Sequence, residues 1–329
     1  PNYRVRGAFN PGAARLGEEI VLLLRVAEDV PADDGRAAVP VVTFADGLGR
    51  PDVLEVSVSD PDVELKDTRG IVYRGADYLS TLSHLRLARS RDGIRFEVEP
   101  EPFLFPCDRS EVFGVEDARI TKIGDTYWIN YTCVSSDGWA TALASTTDFR
   151  TVERHGIIFP PQNKDVSLFP EKIGGRFCAL HRPNNSGFGK PSIWYAESRD
   201  LFHWGRHECL ARPRNTVWEE QKIGGGAPCI KTPAGWLQIY HGKGREQVYS
   251  LFALLLDSDE PSRVLQRARD PFLKPELDYE TSGFFPHVVF SNGLVEFDDG
   301  TVFVYYGACD GVTCVAESDI DELLQSLDE

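Results

Sequence analysis

The sequence predicts an all-β chain: a five-bladed β-propeller with a short C-terminal helix. Three observations carry this. A short pattern recurs along the 329 residues, an apolar run followed closely by Ser and Asp and then an aromatic or basic stretch. Apolar segments of strand length precede each copy. Helical periodicity is nearly absent outside the last dozen residues.

The clear copies are "HLRLARSRDGIRFEVE" from His84, "ATALASTTDFRTVERH" from Ala140 and "SIWYAESRDLFHWGRH" from Ser192. A weaker copy is "YSLFALLLDSDEPSRVLQ" from Tyr249, and "VTCVAESDIDELL" from Val312 is truncated. Ahead of them run "EEIVLLLRV", "DTYWINYT", "GRFCALHR", "GWLQIYHG" and "TVFVYYGA". Ahead of those lies a third set: "RGAFNPGAARLG", "GVEDARITKIG", "VSLFPEKIGG", "GGAPCIKTPAG" and "PHVVFSNGLVEFDDG". The last four end in Gly-containing turns suited to hairpins. Five three- to four-strand units, roughly 50 to 65 residues apart, favour a propeller over a β-sandwich. "SDIDELLQSLDE" reads as the terminal helix. A Pro-, Asp- and Gly-rich insertion, about residues 27–81, interrupts the first unit; loops of that length are usually functional lids or disordered. It leaves no room for a second domain, so residues 1–329 are expected to form one domain. The insertion is expected either to cap a site or to form the interface of a homo-oligomer.

Composition narrows the partners. Lys and Arg total 35 against 51 Asp and Glu, a formal net charge of −16. That balance argues against nucleic acid or an anionic membrane surface, although a local cationic pocket can still hold a small anion. No apolar run approaches the ~20 residues of a membrane span. The start, "PNYRVRGAFN", has no apolar signal region, and the seven cysteines include no CxxC pair. Reduced thiols in a cytoplasmic protein are the expectation.

In a propeller the first strand of each blade lines the central channel. The alignment places Asn10, Glu116 with Asp117, Glu171, Lys231 and His287 near the axis. The second strands end in Arg25; Asn130 and Tyr131; His181 and Arg182; Tyr240 and His241; Tyr305 and Tyr306. Such a ring at one mouth is the composition of a small-ligand site, with Tyr240 among the expected substrate contacts. Tyr127, Trp128, Trp194 and Trp236 read as packing residues. There is no HExxH or spaced Cys/His set, so no metal site is expected, and "KIGGGAP" lacks the phosphate-loop frame. What remains is carboxylate acid catalysis beside Lys164, Arg182, Lys222 and His241. Glycoside hydrolysis normally needs two carboxylates. Phosphorolysis needs one acid and a site that holds phosphate, already a nucleophile.

"FGVEDARITKIGDTYWINYT", "IIFPPQNKDVSLFPEKIGGRFCALHRP", "KIGGGAPCIKTPAGWLQIYHGK" and "VFVYYGACD" together resemble the mannoside phosphorylases of glycoside hydrolase family 130. The likeness spans nearly the whole chain, and the family fold is a five-bladed β-propeller. The resemblance implies inverting phosphorolysis of a β-mannoside to α-mannose 1-phosphate, with no cofactor and with inorganic phosphate as co-substrate. By motif, Asp117 matches the general acid, which in this family acts through a sugar hydroxyl. Asn10, Arg25 and Asp310 match residues holding the sugar at the cleaved end. Lys164, Arg182, Lys222 and His241 match the phosphate site. "LSTLSHLRLARSRDGIRF", "ATALAS" and "NKDVSLFPEKI" look most like the branch acting on β-1,2-mannobiose and short β-1,2-oligomannosides, and Arg86 is assigned to that branch's site.

Three departures stand out: His287 where Asn is expected, Ala118 where Pro is usual, and Glu219 with Glu220 beside Lys222. The glutamates keep an inverting β-1,2-mannosidase open as the alternative, with one of them as base. A non-catalytic sugar-binding propeller is the third reading. Within "VEDAR", strand alternation lets only one carboxylate face the channel squarely. Asp117 is taken as that residue, and Glu116 as a structural partner, with Arg119 as its expected ion pair.

Overall fold

The computed structural model describes residues 2–45, 48–66, 70–184 and 187–327. The chain opens with β1 (Arg4–Leu16) and β2 (Glu19–Asp29), an antiparallel pair. Ile20 to Leu24 of β2 are all buried, which is why this strand is apolar without alternation. The insertion follows. Where a long loop was expected, its described residues form a hairpin, β3 (Arg36–Ala45) with β4 (Leu48–Ser57). A small sheet comes next: β5 (Val63–Leu65), β6 (Gly70–Tyr73) and β7 (Ala76–Leu79). Val39, Val56 and Ile71 give this region a core of its own. Positions 46, 47 and 67–69 of the insertion lie outside the described residues.

The chain rejoins the main body at β8 (Leu82–Ser90) and β9 (Glu97–Leu104), which complete the first unit beside β2. The second unit is β10 (Gly114–Ile123), β11 (Thr126–Ser135), β12 (Gly138–Thr146) and β13 (Glu153–Phe159). A single parallel bridge, Gly114 to Ser83, joins the two units into one eight-stranded sheet. The third sheet is β14 (Asn163–Leu168), β15 (Phe177–Pro183), β16 (Ile193–Ser198) and β17 (Trp204–Ala211). The fourth holds β18 (Lys222–Gly225), β19 (Ile230–Thr232), β20 (Gly235–Lys243), β21 (Tyr249–Leu256) and β22 (Val264–Arg267). A short helix, α1 (Asp278–Thr281), precedes the last sheet of β23 (Val289–Glu296), β24 (Thr301–Ala308) and β25 (Val312–Asp319). The expected terminal helix is α2 (Ile320–Gln325), capped where Asp319 Oδ1 accepts from the Glu322 amide at 2.7 Å. The architecture is all-β with little helix. β1 packs against both β10 and β23, β10 against β14, β14 against β18, and β20 against β23.

The recurring Asp is a turn device. Asp92 Oδ1 accepts from the amides of Ile94 and Arg95, Asp148 Oδ1 from Arg150 and Thr151, and Asp200 Oδ1 from Phe202 and His203. In each copy a preceding hydroxyl, on Ser90, Thr146 or Ser198, bonds the same carboxylate. This closes the connection between the third and fourth strands of a unit with side-chain acceptors instead of a tight hairpin.

A second repeated device corrects an expectation. Tyr131, Tyr240 and Tyr306 turn into the scaffold, each onto a buried carboxylate from the segment leading into the first strand of its own unit. Tyr131 Oη donates to Glu111 at 2.9 Å, Tyr240 Oη to Glu219 at 2.6 Å and Tyr306 Oη to Glu280 at 2.7 Å. Arg154 completes the first cluster, and Arg214 with Arg267 the second. Tyr240 is fully buried, stacked on Phe252. It therefore fastens a segment to its sheet and takes no part in the pocket described below. The physical reason is alternation: on β20, Tyr240 and His241 face opposite sides. Tyr127 and Trp236 are buried packing residues, as expected. Removing the Tyr240 hydroxyl leaves Glu219 with its two arginines, so Tyr240→Phe is predicted to cost about 1–2 kcal/mol of unfolding free energy in urea titration, with activity unchanged within about twofold.

Candidate functional site

Each of the first three units breaks its first hairpin at the same place. β1 is bulged between Phe9 and Gly12, β10 between Glu116 and Arg119, and β14 between Lys164 and Ser167. Asn10, Asp117 and Asp165 occupy the bulges in the left-handed region, with φ of 48°, 50° and 55°. Asn and Asp are the non-glycine residues that tolerate this conformation best, and a bulge re-aims the side chain it carries. All three side chains turn into one pocket of about 180 Å³. Its other polar lining residues are Arg25, Lys164, Arg182, Lys222, His241 and Asp310, with Tyr249, Phe285, Val288 and Phe290 as apolar wall.

At the centre, Asp117 Oδ1 accepts from Asn10 Nδ2 at 3.0 Å and from Arg25 Nη1 at 3.1 Å, and Lys164 Nζ lies 3.5 Å from Oδ2. Arg25 also donates through Nη2 to Glu116 Oε1 at 2.7 Å and through Nε to Ser83 Oγ at 3.0 Å. Burial by itself raises the Asp117 pKa, but Arg25, Lys164 and Arg119 outweigh it and hold the carboxyl below its usual range. Asp310, in the left-handed region at φ 52°, has no such surplus of cations. Burial comes first and the nearby Asp117 and Glu116 add to it, against Arg25, so the Asp310 carboxyl is raised to about 6.

The opposite wall is cationic. Arg182 Nε forms an ion pair with Asp165 Oδ2 at 2.7 Å, and His241 Nε2 stands 3.5 Å from the same oxygen. Burial, then the crowding of Arg182 and Lys164, pushes Lys222 well below the ordinary lysine range. Burial likewise holds His241 well below the ordinary histidine range, against the pull of Asp165. A cluster of buried cations that lower one another's pKa is relieved by an anion. The backbone makes room for this wall: a Cβ on Gly224 would lie 2.5 Å from Asp165 Oδ2 and 2.6 Å from His241 Cε1. Across the pocket, a Cβ on Gly307 would lie 2.0 Å from Asn10 Oδ1. Among the described residues no group of His, Cys, Asp and Glu is arranged to hold a metal ion, and no helix is long and apolar enough to cross a membrane.

The structure thus brings together Asn10, Arg25, Asp117, Lys164, Arg182, Lys222, His241 and Asp310. It does not bring in Arg86, which lies on the other side of β8 from Ser83's neighbour Arg25, with Nη2 3.6 Å from Glu28. Glu171 and Lys231, expected at the axis, pair with each other at the surface, and His287 is exposed. That alignment began the third and fourth inner strands too late; the bulge, not the apolar run after it, marks equivalent positions. Glu116 pairs with Arg25 and not with Arg119, because the bulge turns both carboxylates of "VEDAR" toward one guanidinium. Arg119 and Asp165 were missed. The available signal was a small polar residue, Asn or Asp, at the bulge position of successive repeats. Neither glutamate proposed as a hydrolytic base reaches the pocket. Glu219 is fully buried between Arg214 and Arg267, and Glu220 pairs with Arg245.

A carboxylate set among cations in an all-β scaffold defines a class of proteins with a small acid–anion site. Comparison with known proteins makes this specific. The profile described as beta-1,4-mannooligosaccharide phosphorylase matches residues 57–329, and the chain belongs to glycoside hydrolase family 130. It is 41% identical to the beta-1,2-mannobiose phosphorylase of Listeria innocua over 99% of this chain and 92% of that protein. It is 40% identical to the 1,2-beta-oligomannan phosphorylase of a Thermoanaerobacter species over 75% of this chain and 84% of that one. The crystal structure of the Listeria enzyme in complex with beta-1,2-mannobiose superposes with a TM-score of 0.92, covering 99% of this chain and 93% of that chain.

The raised Asp310 carboxyl gives a stability prediction. A carboxyl at about 6 in the folded state, against 3.8 unfolded, binds its proton more tightly when folded. Stability from this group is therefore present at low pH and is lost as pH rises from about 4 through 6. Asp310→Asn is expected to raise unfolding free energy at pH 7.5 by about 3 kcal/mol, a gain that largely disappears near pH 4, as read by urea titration at the two pH values.

Proposed function

We propose that this chain catalyses the inverting phosphorolysis of β-1,2-linked mannobiose and short β-1,2-mannosides, releasing α-mannose 1-phosphate and a shortened mannoside or mannose. The observation that carries this is one pocket in which Asp117 faces Lys164, Arg182 and Lys222. Names of relatives support the linkage: the curated beta-1,2-mannobiose and 1,2-beta-oligomannan phosphorylases are at or above 40% identity. Asn10, Arg25 and Asp310 hold the mannosyl ring in this reading, and Lys164, Arg182, Lys222 and His241 hold phosphate. The neighbouring cavity of about 520 Å³ shares Lys164 and is walled by Glu116, Trp139 and, from the insertion, Tyr78. It is the natural place for the leaving sugar.

Phosphate attacks the anomeric carbon on the face opposite the leaving oxygen, which inverts the β-linkage to an α-phosphate. Asp117 stands 3.5 Å from Lys164, on the phosphate side. A proton from it reaches the leaving oxygen through an intervening sugar hydroxyl, in keeping with the family resemblance. The surrounding cations hold the Asp117 pKa down. A phosphate dianion draws on the same cations, raises the Asp117 pKa and so favours the protonated acid. Neither Glu219 nor Glu220, the residues weighed as base for the hydrolytic alternative, lines the pocket.

The same reading includes a five-bladed propeller, supported by five repeated units and by the succession of β1, β10, β14, β18 and β23 around a polar centre. The Ala8 amide donates to the Gly311 carbonyl at 3.0 Å, tying the first sheet to the last. A single domain, a cytoplasmic location with all seven cysteines as free thiols, and a homo-oligomer built through the insertion belong to this reading as well.

Incubation with β-1,2-mannobiose is expected to yield α-mannose 1-phosphate only when phosphate is present; equal turnover without phosphate, with no sugar phosphate formed, would sink the proposal. Asp117→Asn should lower kcat by about 10²–10⁴-fold. The two glycines should separate the subsites. Gly307→Ala is expected to raise KM for mannobiose about tenfold with little effect on phosphate, and Gly224→Ala the reverse, as displaced hydrogen bonds of about 1 kcal/mol each accumulate.

A further inference from the structure

Arg119 does not line the pocket. It lies beneath the floor, 1% exposed, and touches the bulges of β10 and β14 and the end of β18. Nη1 donates to the carbonyl of Asp117 at 3.0 Å, on the bulge of its own strand. Nη2 donates to Asp165 Oδ1 at 3.1 Å and to the Gly225 carbonyl at 3.0 Å, and Nε reaches the Gly226 carbonyl at 3.3 Å. Asp165, itself buried, turns its other oxygen to Arg182 and His241. One planar fork thus connects the backbone of the acid, on β10, to the carboxylate that orders the cationic wall, on β14, and to the backbone carbonyls of Gly225 and Gly226 at the end of β18. Lysine offers the same charge without this geometry.

We propose that Arg119 is a positioning residue that sets the distance between the proton donor and the bound phosphate, and that Asp165 is the group through which it acts on the phosphate side. This rests on the phosphorolysis reading. The left-handed bulges of Asp117 and Asp165 need surrounding contacts to hold them, and Arg119 supplies a contact to each. A misplacement of about 1 Å between reacting groups costs on the order of 10²-fold in rate.

The test compares wild type, Arg119→Lys, Arg119→Gln and Asp165→Asn by kcat, by KM for phosphate and for β-1,2-mannobiose, by the pH profile of kcat and by thermal midpoint. Arg119→Lys is expected to lower kcat about 10- to 100-fold and raise KM for phosphate, with KM for mannobiose and the pH profile unchanged. Arg119→Gln removes a charge that holds Asp117 ionised, so the limb where activity falls with rising pH should also move to higher pH. Folded Arg119 variants with wild-type kcat and phosphate KM would overturn the proposal, as would activity lost only in proportion to folded protein. If neither Arg119 variant folds, Asp165→Asn decides. A mere counter-charge predicts tighter phosphate with unchanged kcat, which overturns the proposal. A positioning group predicts a lower kcat even where phosphate binds more tightly. Wild type that forms no mannose 1-phosphate would instead sink the underlying reading.

Discussion

Two bulged aspartates hold opposite halves of this site apart and yet in register. Asp117 and Asp165 are each forced into the left-handed region, each buried, and each surrounded by cations they do not share equally. Asp117 is met by Arg25, Lys164 and Asn10, while Asp165 is met by Arg182, His241 and Arg119. A buried charge must be paired, and a buried carboxylate beside several arginines is readily ionised. The constraint is therefore electrostatic. The pocket needs enough carboxylate to pair its buried cations and enough cation to accept an anion.

The sheets around the pocket meet that constraint with repeated local devices. Asp92, Asp148 and Asp200 close outer turns by accepting backbone amides. Tyr131, Tyr240 and Tyr306 fasten buried glutamates at the segments before β10, β18 and β23. These polar groups are fully occupied and leave the inner strand ends as the places where polarity is not spent on the scaffold. Glu219 illustrates the division. It lies a few residues from Lys222 in sequence, but two arginines and a tyrosine hydroxyl satisfy it inside the sheet.

The insertion changes the meaning of the first unit. It was expected as a loop, but its described residues are largely strands, because the apolar run "AAVPVVTF" of β3 pairs along its length with β4. Tyr78 from β7 then stands beside Glu116 and Trp139 in the cavity next to the Asp117 pocket. A segment that breaks the repeat thus contributes to the wall where the repeat alone would leave the pocket open.

The sequence by itself determined the all-β character, the order of the strands and most of the pocket. Apolar run length, turn residues and repeated spacing are local properties, and "VEDAR", "NKD", "LHRP", "KIGGG" and "IYHG" carry their chemistry with them. Tertiary structure decided which way each polar residue points. Tyr240 and His241 are neighbours with opposite fates because alternation sends one into the sheet and one into the pocket. Glu116 and Asp117 escape that alternation because a bulge sits between them and the next paired residue. Asp165 and Arg119 gained their places only when three strands far apart in sequence met. Facing direction depends on register, and register is set by pairing across strands, which no single segment contains.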